Sequence, residues 1–90
     1  MTNHISAHAF VDPNAQLGDE IEVGPFCVVG PDVSLGHGCI LSNNVTITGH
    51  TSIGERNRFF PGSVIGAEPQ DFCYAGGPTK VVIGDDNLFR

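Results

Sequence analysis

Ninety residues carrying twelve glycines, no tryptophan and an apolar set drawn mostly from Val, Ile, Leu and Ala suit short strands and tight turns, not long helices. Four Lys and Arg against ten Asp and Glu leave a formal charge of -6, which excludes the clustered basic footprint by which nucleic-acid binders neutralise phosphates. No apolar run nears the ~20 residues of a bilayer span, MTNHISAHAF lacks the basic and apolar regions of a secretory signal, and the three cysteines show no paired-ligand spacing; a reduced, cytoplasmic chain with no membrane span, disulfide framework or structural zinc is expected.

From the N-terminus onward the chain repeats every six residues. Ile5, Val11, Leu17, Val23, Val29, Leu35, Leu41, Ile47, Ile53, Phe59 and Ile65 follow one another without a slip. Two residues before most of them stands a small or β-branched side chain: Ala9, Ala15, Ile21, Cys27, Val33, Cys39, Val45, Thr51 and Ser63, with Asn57 as the polar exception. Residues two apart share a strand face, so each hexad predicts a short strand with one large and one small inward residue, and Cys27 and Cys39 read as small buried apolar groups. The three positions after the large residue carry turn chemistry, as in Gly18-Asp19-Glu20, Gly30-Pro31-Asp32 and Gly54-Glu55-Arg56, where Gly and Asn tolerate positive φ and Pro presets a turn dihedral.

A helix would scatter these aliphatics around its circumference, and strand-turn units this short bury an apolar face only by coiling. Three hexads close one triangular coil of eighteen residues, so that equivalent residues stack as ladders. The fold class is thus an all-β, single-stranded parallel β-helix. Its terminal coils expose apolar ladders, and Leu88-Phe89-Arg90 supplies no polar cap, so residues 1–90 are expected to be one part of a longer solenoid domain.

After Gly66 the rhythm fails, with Asp71 and Gly77 in the next aliphatic slots, and it returns at Val81-Val82-Ile83-Gly84. The intervening AEPQDFCYAGGPTK suits an external loop at about 67–80 that carries function. Within it Gln70 and Asp71 pair an amide with a carboxylate, a combination that hydrogen-bonds polyhydroxylated ligands. His37 and His50 occupy turn slots and are expected to make surface or turn hydrogen bonds. The four histidines show no convergent ligand set for zinc.

The hexads resemble those of the hexapeptide-repeat acyltransferases, which implies a left-handed coil. More specifically, GPFCVVGP, TGHTSIG and above all IGAEPQDFCYAGGPT followed by VVIGDDN are similar to the N-terminal portion of the UDP-N-acetylglucosamine 3-O-acyltransferases of lipid A biosynthesis. The resemblance implies transfer of an R-3-hydroxyacyl chain from acyl carrier protein to the sugar 3-hydroxyl of UDP-N-acetylglucosamine, without metal or organic cofactor, by a homotrimer with active sites between subunits. It also implies that Gln70 and Asp71 contact substrate and that a histidine of a later coil, beyond residue 90, is the general base. Cys73 departs from the pattern, standing where many relatives carry a lysine near the donor's phosphates; Lys80 offers a charge nearby.

The same hexads occur in acylglucosamine N-acyltransferases, other sugar-nucleotide acyltransferases and γ-type carbonic anhydrases. The N-acyltransferases would place an extra domain before the repeats, and the anhydrases need three zinc-binding histidines on neighbouring rungs. A non-enzymatic solenoid scaffold is the alternative of a different class, and it has little use for a single interruption bearing paired Gln and Asp.

Overall fold

The computed structural model describes residues 3–66 and 80–90. Its regular elements are thirteen strands: β1 (His4–Ile5), β2 (Phe10–Val11), β3 (Gln16–Leu17), β4 (Glu22–Val23), β5 (Val28–Val29), β6 (Val33–Leu35), β7 (Ile40–Leu41), β8 (Thr46–Ile47), β9 (His50–Ile53), β10 (Arg58–Phe59), β11 (Val64–Ile65), β12 (Lys80–Ile83) and β13 (Leu88–Phe89). Every third strand joins the same sheet. The first sheet runs β1-β4-β7-β10-β13, the second β2-β5-β8-β11 and the third β3-β6-β9-β12, all with parallel neighbours. This is the coil of three hexads that the six-residue period predicts.

Register is as regular as the sequence. Val23 lies over Ile5 and Leu41 over Val23, each a step of eighteen residues, and the other two sheets repeat that step. The exception spans 67–79, where Ile83 lies over Ile53 and Phe89 over Phe59, a step of thirty. The coil therefore advances by a single rung while the chain spends twelve extra residues. Twelve is twice the repeat, so Ile83 and Phe89 keep the hexad phase that starts at Ile5. Of the segment expected as an external loop at about 67–80, residues 67–79 lie outside the described residues, and Lys80 is paired with His50 in β12.

The inward pairs make the core. Ile21, Val23, Cys27, Val29, Val33, Leu35, Cys39, Leu41, Val45, Ile47, Ile53 and Phe59 are buried, and Ala9, Val11, Ala15, Leu17, Ile65, Ile83 and Phe89 are partly buried against them. Phe59 and Phe89 stack with centroids 4.8 Å apart and planes 8° from parallel. That spacing equals the distance between hydrogen-bonded strands, so identical side chains in register meet face to face along the ladder. Cys27 and Cys39 are buried as expected, and their thiols lie 2.8 Å and 3.2 Å from the carbonyl oxygens of Ser42 and Gly54. Burial pushes the Cys39 thiol pKa up.

Polar residues in the inward small slot are satisfied by backbone groups of their own coil or of the next. Asn57 is fully buried; its amide donates to Gly84 O at 2.7 Å, and its Oδ1 accepts from Asn87 N at 2.9 Å. Thr51 and Ser63 donate back to the carbonyls of Thr48 and Phe60, at 2.8 Å and 2.7 Å. Among the described residues no buried side-chain nitrogen or oxygen is left without a partner.

The glycines serve two purposes, according to their place in the turn. In the regular corners the left-handed backbone falls on the third turn residue, and there it is held by Glu20, Phe26, Asn44, Arg56 and Asp86 at φ between 58° and 62° and by Gly38 and Gly62 at 73° and 82°. At the first turn residue, Gly24 and Gly36 answer to a close approach of the next coil, whereas Gly30 has room for a Cβ. A Cβ on Gly36 would stand 2.6 Å from Gly54 O, and one on Gly24 would stand 2.5 Å from Ser42 O.

One corner also carries charges between coils. Arg56 donates through Nε and Nη2 to the two carboxylate oxygens of Asp86, at 2.8 Å and 3.1 Å, and through Nη1 to Glu55 at 3.0 Å. The hydrogen bonds from Arg56 hold the Asp86 carboxyl below its usual range. Asp86 therefore adds stability that is complete above the ordinary carboxylate pKa and disappears as pH falls through its lowered value. Because both partners lie at the surface, salt screens the pair.

Two outcomes are expected for the full-length protein. Gly36→Ala should lower stability by roughly 1–3 kcal/mol through overpacking, and Asn57→Ala by about 2 kcal/mol or more through the stranded Gly84 carbonyl and Asn87 amide, both read as denaturant midpoints at unchanged slope. The stability difference between wild type and Asp86→Asn should be present at neutral pH and vanish as acidification passes through the lowered Asp86 carboxyl pKa.

Candidate functional site

Because inward residues alternate with outward ones, the three sheets present three different outer faces. On the first sheet His4, Glu22, Ile40, Arg58 and Leu88 point outward, a mixed surface. The second is apolar: Phe10, Val28 and Val64 are 56%, 41% and 59% exposed, with Thr46 between them and Phe26 exposed at the adjoining corner. The third is polar, with Gln16, Ser34 and Ser52 stacked in register below Val82.

The polar face borders a second column, formed where the chain turns from the second sheet into the third. Asn14, Asp32, His50 and Lys80 occupy successive rungs there. Thr51 N donates to Asp32 O at 3.3 Å, which ties the rung of His50 to that of Asp32, and Lys80 pairs with His50. His50 Nε2 lies 3.8 Å from Asp32 Oδ2, with about half of each side chain exposed. The two columns enclose an open groove of about 610 Å³ lined by Asn14, Gln16, Asp32, Ser34, His50, Ser52 and Lys80. Hydroxyls, amides, one carboxylate, an imidazole and an ammonium supply donors and acceptors for a hydroxylated ligand and a cation for an anionic group.

The described residues divide the residues singled out in the sequence. Gln70 and Asp71, the predicted substrate contacts, and Cys73 lie outside the described residues. Lys80 is placed, at the rim of the groove. His37 behaves as a turn residue: its Nδ1 accepts from Asp19 N at 2.8 Å. His50, also expected at the surface, opens strand β9 with its side chain about half exposed, and it lines the groove beside Asp32. Asn14, Gln16, Asp32, Ser34 and Ser52 escaped the sequence reading. The signal existed, since Asn14, Asp32 and His50 recur at eighteen-residue spacing, but a search for large aliphatics passes over it. Among the described residues no group of three or more His, Cys, Asp and Glu side chains converges as metal ligands.

Residues 14–49, from the turn before β3 to the end of β8, match the family model described as bacterial transferase hexapeptide (six repeats). Over those residues the chain is similar to the hexapeptide-repeat transferases, and its coil is theirs in architecture. Among similar proteins, an acyl-[acyl-carrier-protein]–UDP-N-acetylglucosamine O-acyltransferase of Thermodesulfovibrio yellowstonii is 42% identical over 88 residues, which cover 98% of this chain and 34% of the relative. One of the same name from Saccharophagus degradans is 40% identical over 82 residues, 91% of this chain and 32% of the relative. A crystal structure of a UDP-N-acetylglucosamine acyltransferase superposes with a TM-score of 0.90 at 43% identity, covering 96% of this chain and 33% of that one. The Bacteroides fragilis enzyme of that name superposes with a TM-score of 0.90 at 38% identity over 96% of this chain and 34% of its own. The hexapeptide-repeat coil has the hand of those structures, because a coil of opposite hand would not superpose. The chain spans about a third of the length of the curated relatives it matches.

Proposed function

We propose that this chain is the part of a UDP-N-acetylglucosamine O-acyltransferase that binds and orients substrate, in an enzyme moving an R-3-hydroxyacyl chain from acyl carrier protein to the sugar 3-hydroxyl in the first step of lipid A biosynthesis. The observation that carries this reading is similarity running through the interruption as well as the coils: 42% identity extends over 98% of the chain, so residues 67–79 are aligned along with the repeats on either side. Coils alone would support only the superfamily.

In this reading Gln70 and Asp71 contact the substrate. Attack of the sugar hydroxyl on the carrier thioester needs a base near neutral pKa to take the hydroxyl proton, and release of the carrier thiol completes the exchange. That base is a histidine outside residues 1–90. Residues 1–90 then hold the sugar nucleotide in line with the thioester, which converts binding energy into orientation. The apolar outer face of the second sheet supports a homotrimer, since Phe10, Val28 and Val64 supply a continuous surface for a second copy of the chain.

Asp71→Ala in the full-length protein should lower kcat/KM for UDP-N-acetylglucosamine by about 10- to 100-fold, the loss expected for one charged hydrogen bond, in an assay of acyl transfer from R-3-hydroxyacyl carrier protein. Wild-type protein that binds neither substrate would sink the reading and favour a structural solenoid. Val64→Glu should shift the assembly from trimer toward monomer in sedimentation equilibrium, by placing a charge in the apolar contact. An unaltered trimer would move the contact to another face.

A further inference from the structure

We infer that the groove over the third sheet is a subsite for a phosphate-bearing, hydroxylated ligand, with the Lys80 ammonium as its anion contact; this rests on the acyltransferase reading above, in which both substrates carry phosphate. The argument begins with charge. The chain has a single lysine and three arginines in a formal charge of -6. Arg56 is engaged by Asp86 and Glu55, Arg90 sits over the Phe60 ring at 5.0 Å from its centroid, and Arg58 lies on the outer face of the first sheet. Lys80 is the one placed at a groove.

Its surroundings suit the purpose. The Asp32 carboxylate faces His50 at 3.8 Å, one rung away, while Lys80 stands on the far side of His50. Two rungs separate Asp32 from Lys80, roughly 9.5 Å of ladder, which is close to the screening length at physiological salt. Asp32 thus neutralises little of the Lys80 charge. Ser52 and Ser34 offer hydroxyl donors one and two rungs along, and Asn14 and Gln16 offer amides on the third. An anionic head at Lys80 and His50 with hydroxyls extending toward Gln16 satisfies both columns at once. Neither of the other outer faces combines these groups.

Position strengthens the assignment. Lys80 is the first described residue after 67–79, and Gly66, the last before it, packs against Thr48 and Thr51 beside His50. The anchors of the segment that carries Gln70 and Asp71 therefore both stand at the rim of the groove.

The test uses the full-length enzyme with Lys80→Met and Lys80→Arg, and steady-state kinetics in which UDP-N-acetylglucosamine and the acyl carrier protein are varied separately. Lys80→Met should raise KM about tenfold for one substrate while kcat changes by less than about twofold, and Lys80→Arg should restore most of the loss. A rise for the sugar nucleotide assigns the diphosphate to the groove, and a rise for the carrier assigns the phosphopantetheine phosphate. Unchanged KM for both substrates, or a loss that Arg does not rescue, overturns the inference and leaves the acyltransferase reading intact. Should the wild type transfer no acyl group, that reading fails by itself, and the groove is then tested by calorimetric titration with inorganic pyrophosphate: binding lost in Lys80→Met upholds it, and no binding to wild type overturns it.

Discussion

In-register parallel stacking is the constraint from which the rest of the structure follows. Each coil must lie one strand spacing above the last, and every position then meets its own equivalent. Inward residues become ladders of like groups, which is why Phe89 lands face to face on Phe59 and why Asn57 can satisfy the backbone of the next rung. The same demand excludes side chains where coils approach closely, so the residue after the large aliphatic is so often glycine. A single sterically forbidden Cβ there would disturb two rungs, because each coil is held only by its neighbours.

Stacking also sorts chemistry onto faces. A side chain pointing outward in one hexad meets outward side chains of the hexads three before and three after, so small biases in sequence accumulate into continuous stripes. The second sheet gathers Phe10, Val28 and Val64, and the third gathers Gln16, Ser34 and Ser52. An apolar stripe and a polar groove thus occupy different sides of one triangular prism, and neither intrudes on the core.

The fold was legible because its signal is redundant. Ten aliphatics and one phenylalanine at a fixed interval leave no other architecture, and the inward role of Cys27, Cys39, Val33 and Val45 followed from it. The reason for the glycines was legible in part: Gly38 and Gly62 take the positive φ that turn glycines allow, whereas the clash that fixes Gly24 and Gly36 appears only once register is known, and Glu20, Phe26 and Arg56 carry positive φ as well. The candidate site was legible in part. Lys80 was singled out beside the interruption, and Gln70 and Asp71 within it lie outside the described residues, whereas Asp32 and His50 are eighteen residues apart and Lys80 thirty beyond, distances that become adjacency only in the coil.

The step of thirty residues has a consequence for what this corner can carry. Closing a loop of thirty in place of eighteen costs only about 0.5 kcal/mol of chain entropy, and the two ends re-enter the coil one rung apart whatever lies between them. The corner therefore acts as a socket of fixed geometry, into which segments of other length and composition can be exchanged while the prism that holds them stays the same.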